Sequence, residues 1–113
     1  MNTQQYEIVY YGGPDGRRPF TDWLDSIRDA ATYRRILARI DRFEAGNLGV
    51  HKPLKNAPGV WEARLAFGPG YRIYFAKEVQ TIILLLCGGD KGSQEQDIRQ
   101  ASKFYENFQA DRR

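Results

Sequence analysis

The stretch that decides the fold is Trp61-Glu-Ala-Arg64-Leu-Ala-Phe67-Gly-Pro-Gly70-Tyr-Arg72-Ile-Tyr74-Phe75, followed at 81–87 by Thr-Ile-Ile-Leu-Leu-Leu-Cys. Side chains alternate across a β-strand with a period of two. Here the large apolar positions are odd: Trp61, Leu65, Phe67, Tyr71, Ile73 and Phe75. Gly68-Pro69-Gly70 has the composition of a hairpin turn. The pattern predicts two antiparallel strands, over 60–67 and 70–76, with one buried face. Even positions, among them Glu62, Arg64, Arg72 and Tyr74, then share the other face. Setting Phe67 opposite Tyr71 puts Ala66 opposite Arg72 and Arg64 opposite Tyr74. The two arginines then lie on a diagonal, roughly 7–8 Å apart at the backbone. The run at 81–87 is apolar on both faces and predicts a central, covered strand that Gly88 and Gly89 stop.

Outward from this hairpin, residues 6–11 (Tyr-Glu-Ile-Val-Tyr-Tyr) are strong β-formers, and Gly12-Gly13-Pro14-Asp15-Gly16 breaks that strand. Pro19 opens a helix in which Phe20, Trp23, Leu24 and Ile27 fall on one stripe. A second helix is expected over 31–45, with Tyr33, Ile36, Leu37, Ile40 and Phe43 inward. Its Arg34, Arg35, Arg39 and Arg42 read as a solvated face, and Gly46-Asn47 ends it. Residues 48–59 read as a loop carrying His51, Lys52 and Lys55. Ser93 with Gln96 has the spacing of a capping box. It opens a final helix with Ile98, Ala101, Tyr105 and Phe108 on one side, and the tail Asp111, Arg112, Arg113 is expected to be loose. The order is β-α-α-β-β-β-α. This is an α+β domain spanning 1–113, with a mostly antiparallel four-stranded sheet, a helical hairpin and a C-terminal helix.

Composition bounds the function classes. The 113 residues are 42% hydrophobic, enough for one buried core. Seventeen Lys+Arg against 14 Asp+Glu give a net charge of +3, which alone says little. Its distribution says more. Residues 49–77 hold Lys52, Lys55, Arg64, Arg72 and Lys77 against Glu62, a footprint suited to a polyanion such as nucleic acid. One cysteine, Cys87, excludes an intrachain disulfide and reads as strand core. One histidine, His51, argues against a histidine-based zinc site. The longest apolar run is too short to span a bilayer. The expectation is a cytoplasmic protein with no cofactor, no metal and no membrane partner.

The chemistry is expected on the even face of the hairpin. Guanidinium groups grip phosphate oxygens bidentately. Arg64 and Arg72, with Lys55 from the preceding loop and Lys91 after the last strand, are the residues to converge on a phosphate. Tyr74 supplies a hydroxyl or a stacking ring. Glu62 and Asp97 are candidate proton carriers, although no paired-carboxylate spacing supports them.

Four segments carry a resemblance: Lys52-Pro-Leu-Lys55, Gly59-Val-Trp-Glu-Ala-Arg64-Leu, Gly68-Pro-Gly-Tyr-Arg72-Ile-Tyr74-Phe, and Leu84-Leu-Leu-Cys-Gly-Gly-Asp-Lys91-Gly-Ser-Gln. Together they resemble the phage-associated addiction-module killer proteins of the RelE/ParE superfamily, close to HigB. The resemblance implies a RelE-like, microbial ribonuclease-type fold and a type II toxin. It also implies neutralisation by a cognate antitoxin, of the helix-turn-helix, HigA-like kind, through which alone operator DNA is reached. RelE- and HigB-like members cut mRNA on the ribosome without metal, using the RNA 2′-hydroxyl as nucleophile. Carried over, Arg72 contacts the scissile phosphate and Arg64 meets transition-state charge. Lys91 stabilises the phosphate or the leaving group, while Lys55, His51 and Lys52 fall in the loop that bears further basic residues. The sequence departs from the pattern at two places. Asp97 stands nearest to the tyrosine that opens the last helix of RelE, and Glu62 stands where RelE has a lysine. The general base is then unassigned, or is left to His51, Asp97 or Tyr74. Two other functions share the fold: a ParE-like gyrase poison, and a non-cleaving module that represses together with its antitoxin.

Overall fold

The computed structural model describes residues 5–112. Along the chain the elements run β1 (Glu7–Tyr10), α1 (Pro19–Asp25), α2 (Ala30–Glu44), β2 (His51–Pro53), β3 (Trp61–Arg64), β4 (Arg72–Glu78) and β5 (Ile82–Gly89). A single 3-10 turn at Lys91–Ser93 then leads into α3 (Gln94–Asp111). The strands form one sheet in the order β1-β5-β4-β3-β2. Strand β1 runs parallel to β5, and the other neighbours are antiparallel.

The sheet therefore has five strands and is mixed, where the sequence reading gave four. The extra strand is β2, inside the segment expected to be a loop. It has three residues and ends on a proline, which only an edge strand tolerates. So short a strand shows no alternation to read.

Helices α1 and α2 cover one face of the sheet. Phe20, Leu24, Ile36, Ile40 and Phe43 pack there against Leu65, Ile73, Phe75, Ile83 and Leu85. The odd positions of the hairpin point into this core, as their parity predicts. Leu37, expected in the same core, is 36% exposed. Helix α2 closes in a Schellman motif: Gly46 has φ 96°, its amide donates to the Phe43 carbonyl, and the Asn47 amide donates to the Arg42 carbonyl.

Helix α3 covers the opposite face. Ala101 and Tyr105 pack there on Tyr74, Ala76, Leu84 and Leu86. The even face of the hairpin is thus a second core over most of its length, and not an open surface. A bulge between β4 and β5 brings both Leu86 and Cys87 to this side.

Three local expectations are corrected. Gly88 and Gly89 extend β5 and do not stop it, pairing with Ile73 and Arg72. A Cβ at Gly88 would meet Trp23 of α1 at 2.3 Å, and one at Gly89 would meet Asp97 of α3 at 1.8 Å. These glycines let helices close in on both faces of the strand. The hairpin register is Arg64 opposite Arg72 and Glu62 opposite Tyr74. The Leu65 amide donates to the Tyr71 carbonyl, so the turn takes 66–70, with Gly68 and Gly70 both at positive φ. The third correction concerns α3. The capping box belongs to Asp90 and Ser93 and opens the 3-10 turn. At the other end, the tail is helical to Asp111, and Arg112 pairs with Glu78, which also accepts from the Tyr105 hydroxyl. Arg113 lies outside the described residues. Among those residues no helix is long and apolar enough to cross a membrane.

Candidate nucleic-acid interface

The site builds from the open end of the β3–β4 ladder. Arg64 and Arg72 are direct cross-strand partners, so both side chains leave the same face. Arg64 is exposed. Arg72 is only 5% exposed. Its Nη1 donates to the Gly70 carbonyl at 2.6 Å, and its Nε lies 3.5 Å from Glu62 Oε2, poorly aligned for a hydrogen bond. Glu62 is 1% exposed. It accepts from the Tyr74 hydroxyl at 3.1 Å and from Gln94 Nε2 at 2.9 Å. A carboxylate this deep needs such partners, because an unmatched buried charge is costly.

Glu62 thus pairs with Arg72, while Arg64 has no carboxylate partner among the described residues. The expectation for Tyr74 is corrected. Its ring is fully buried, and its hydroxyl is pushed far above the ordinary tyrosine range by burial and by Glu62. It donates to Glu62 and has no exposed ring face on which a base could stack.

Lys91 stands beside this cluster. Its amide donates to the Pro69 carbonyl at 3.3 Å, its Cβ lies 3.4 Å from where a Cβ on Gly70 would be, and it is exposed. Arg64, Arg72 and Gly70, with Val50, Ala66 and Tyr71, line a cleft of about 280 Å³. Lys52 is the cross-strand partner of Glu62 and shares this face from β2, exposed at the sheet edge.

Other expected members are not brought together. His51 pairs with Ala63, so it faces the opposite side of the sheet. Its ring lies 5.5 Å from that of Trp61, and its Nδ1 is 2.7 Å from the Gly49 carbonyl oxygen. Lys55 is exposed in the β2–β3 connection and does not line the cleft. Lys77, counted in the basic stretch, sits over the Trp61 ring at 4.2 Å on that same opposite side. Asp97 is buried beneath Gly89, accepting from the Ser93 hydroxyl at 2.5 Å, and burial raises its pKa. Cys87 is core: its thiol sits 3.6 Å from the Asp97 carbonyl oxygen, and burial pushes its pKa up.

Two residues escaped the sequence reading. Gln94 reaches Glu62 across 32 positions of chain, and only the docking of α3 brings it there. Arg39 of α2 donates through Nη2 to the Arg64 carbonyl at 3.4 Å. Its signal was a helical position between the apolar stripe and the solvated face.

Comparison with known proteins gives a matching family and a relative. The family model described as "Phage derived protein Gp49-like (DUF891)" matches residues 22–108, which take in the cleft and its buried support. A protein of Haemophilus influenzae, described as uncharacterized, is 39% identical over 82 residues, covering 73% of this chain and 81% of that protein.

Proposed function

The chain belongs to the Gp49-like family of phage-derived proteins, and on that premise we propose that it is the toxin of a type II toxin–antitoxin pair. In this reading it follows the RelE/HigB plan, acts as a ribosome-dependent mRNA endonuclease, and is held in check by a helix-turn-helix, HigA-like antitoxin. The observation that carries the reading is the direct pairing of Arg64 with Arg72 on the wall of one cleft, with Lys91 beside it.

The chemistry asked of the protein is electrostatic. The RNA 2′-hydroxyl loses its proton and attacks the adjacent phosphorus, the bond to the 5′-oxygen breaks, and that oxygen takes up a proton, so that a 2′,3′-cyclic phosphate and a 5′-hydroxyl result. Negative charge grows on the phosphoryl oxygens in between. Fixed donors aimed at that charge lower the barrier without reorganising. Arg72 is fixed, held by the Gly70 carbonyl and by Glu62. Arg64 and Lys91 have no carboxylate partner among the described residues and supply the uncompensated charge. The group that takes the 2′-hydroxyl proton is left unassigned in this reading, since His51 faces the other side of the sheet, Tyr74 donates to Glu62 and Asp97 is buried beneath Gly89.

A second reading has one observation in its favour. The Arg72–Glu62 pair partly neutralises a cation that the cleavage chemistry uses, which suits a toxin-fold module that binds its antitoxin and represses without cutting. A gyrase-directed poison has no use for converging cations.

Arg64→Ala separates these readings. Arg64 is exposed, so the variant should fold with a stability change within about 0.5 kcal/mol. The nuclease reading expects it to lose growth arrest and to lose the new 5′ ends that primer extension detects on translated mRNA. Undiminished arrest by Arg64→Ala, or arrest by the unaltered protein without new mRNA ends, overturns it. Arg72→Ala is the less informative variant, because it strands Glu62 as a buried charge.

A further inference from the structure

Helix α2 presents Arg35, Arg39 and Arg42 at i, i+4 and i+7, one line along its surface. Their pattern reads as a solvated face, yet one of them is turned inward. Arg39 Nη2 donates to the carbonyls of Leu48 and Arg64 at 3.5 and 3.4 Å, and its Nε is buried with no hydrogen-bond partner. Gly49 makes the room: a Cβ there would sit 1.8 Å from Arg39 Nη2. Arg35 sits over the Phe67 ring, its guanidinium carbon 4.0 Å from the centroid.

These side chains enclose a groove of about 240 Å³ between α2 and the β3–β4 turn, floored by Ala38, Ala66 and Phe67. Among the described residues no carboxylate pairs with Arg35, Arg39 or Arg42. Three cations around one groove, one of them desolvated and repelled by Arg42, leave the groove short of negative charge. Ala66 lines both this groove and the Arg64–Arg72 cleft. Arg39 is bonded to the backbone of Arg64 itself. The two sites are neighbours around the end of the hairpin.

We propose that the α2 groove is a second phosphate site, holding the backbone of single-stranded RNA that continues from the Arg64–Arg72 cleft. The proposal rests on the reading of that cleft as an RNA site. Guanidinium groups match phosphate oxygens in pairs. The Arg35–Phe67 stack also offers a flat surface that a base can extend, as single-strand binders use. A run of carboxylates would satisfy the cations but has no ring to add to the stack, whereas every nucleotide brings a phosphate and a base together.

The test uses the full chain and two probes: a labelled single-stranded RNA of about 12 nucleotides and a polyglutamate of similar length. Free RNA serves as a binding probe, since the proposed cleavage needs the ribosome. The variant is Arg35→Gln with Arg42→Gln, both exposed positions, with its melting temperature checked against the unaltered chain. Loss of two phosphate contacts should weaken RNA binding. It should also flatten the slope of log K against log salt by about 1.4, near 0.7 per single-strand contact. Polyglutamate binding should change little. An unchanged RNA slope overturns the proposal, as does a loss confined to polyglutamate, which would assign the groove to an acidic protein segment. Arg64→Ala measured alongside separates the two sites. If it flattens the slope while the α2 variant does not, the groove fails and the cleft stands. If only the α2 variant flattens it, the groove binds RNA and the cleft reading falls.

Discussion

Glu62 is the residue on which the site's geometry turns. It takes hydrogen bonds from Tyr74 and Gln94 and holds Arg72 by charge, all at almost no exposure. Removing either member of a buried ion pair leaves the other unmatched, at about 3–5 kcal/mol. Urea denaturation of Arg72→Ala, Glu62→Ala and the double variant should therefore show a double loss smaller than the sum, with a coupling of about 1–3 kcal/mol. Strict additivity would mean the pair contributes nothing jointly. Asp97 gives a prediction in pH. Burial raises its pKa above 3.8, so the folded chain holds this proton more tightly than the unfolded chain. Ionising Asp97 thus opposes folding. Stability falls as pH rises from the ordinary carboxyl range through the raised folded value, and the penalty is complete above it. Asp97→Asn keeps an acceptor for Ser93 and removes the titration. Its melting temperature should match the unaltered chain at the acid end and exceed it at neutral pH; a difference constant across pH would refute this. Parity alone placed Glu62, Arg64, Arg72 and Tyr74 on one face. It could not show that three of them are buried, because the cover comes from a helix at the far end of the sequence.

The elements were legible where their period was long. Helices α1, α2 and α3 sit within a residue or two of their expected bounds at most ends, since apolar stripes and terminal Pro and Gly signals mark them. Strand β2 was illegible at three residues, and so was the β4–β5 turn. There Val79 and Gln80 take φ of 45° and 70°, and Val79 is 68% exposed. A β-branched residue in the left-handed region is strained, whereas Asn tolerates it and is favoured in such hairpin turns. Val79→Asn should therefore stabilise the protein by about 0.5–1 kcal/mol, seen as a melting temperature higher by a few degrees. No gain, or a loss, would show that the turn carries no strain.

At the scale of the whole molecule, β4 and β5 serve two cores at once. Tyr74, Ala76, Leu84 and Leu86 meet α3, while Ile73, Phe75, Ile83 and Leu85 meet α1 and α2. Cores that share their strands should melt together. Leu84→Ala, on the α3 side, should cost about 2–5 kcal/mol. It should shift far-UV circular dichroism and tryptophan fluorescence equally, although Trp23 and Trp61 report from the opposite face. A fluorescence transition left in place while the dichroism moves would mean the two layers unfold separately. The amino-acid sequence by itself determined the α+β class, the three helices, the hairpin and which of its positions share a face. Those properties follow from local period and from steric preferences of single residues. Tertiary structure alone decided the register of the arginines, the burial of Arg72 against Glu62, the exile of His51 to the other face and the inward turn of Arg39. Each depends on a contact between segments far apart in the chain, and a pattern of neighbours carries no record of which distant segment will supply the cover.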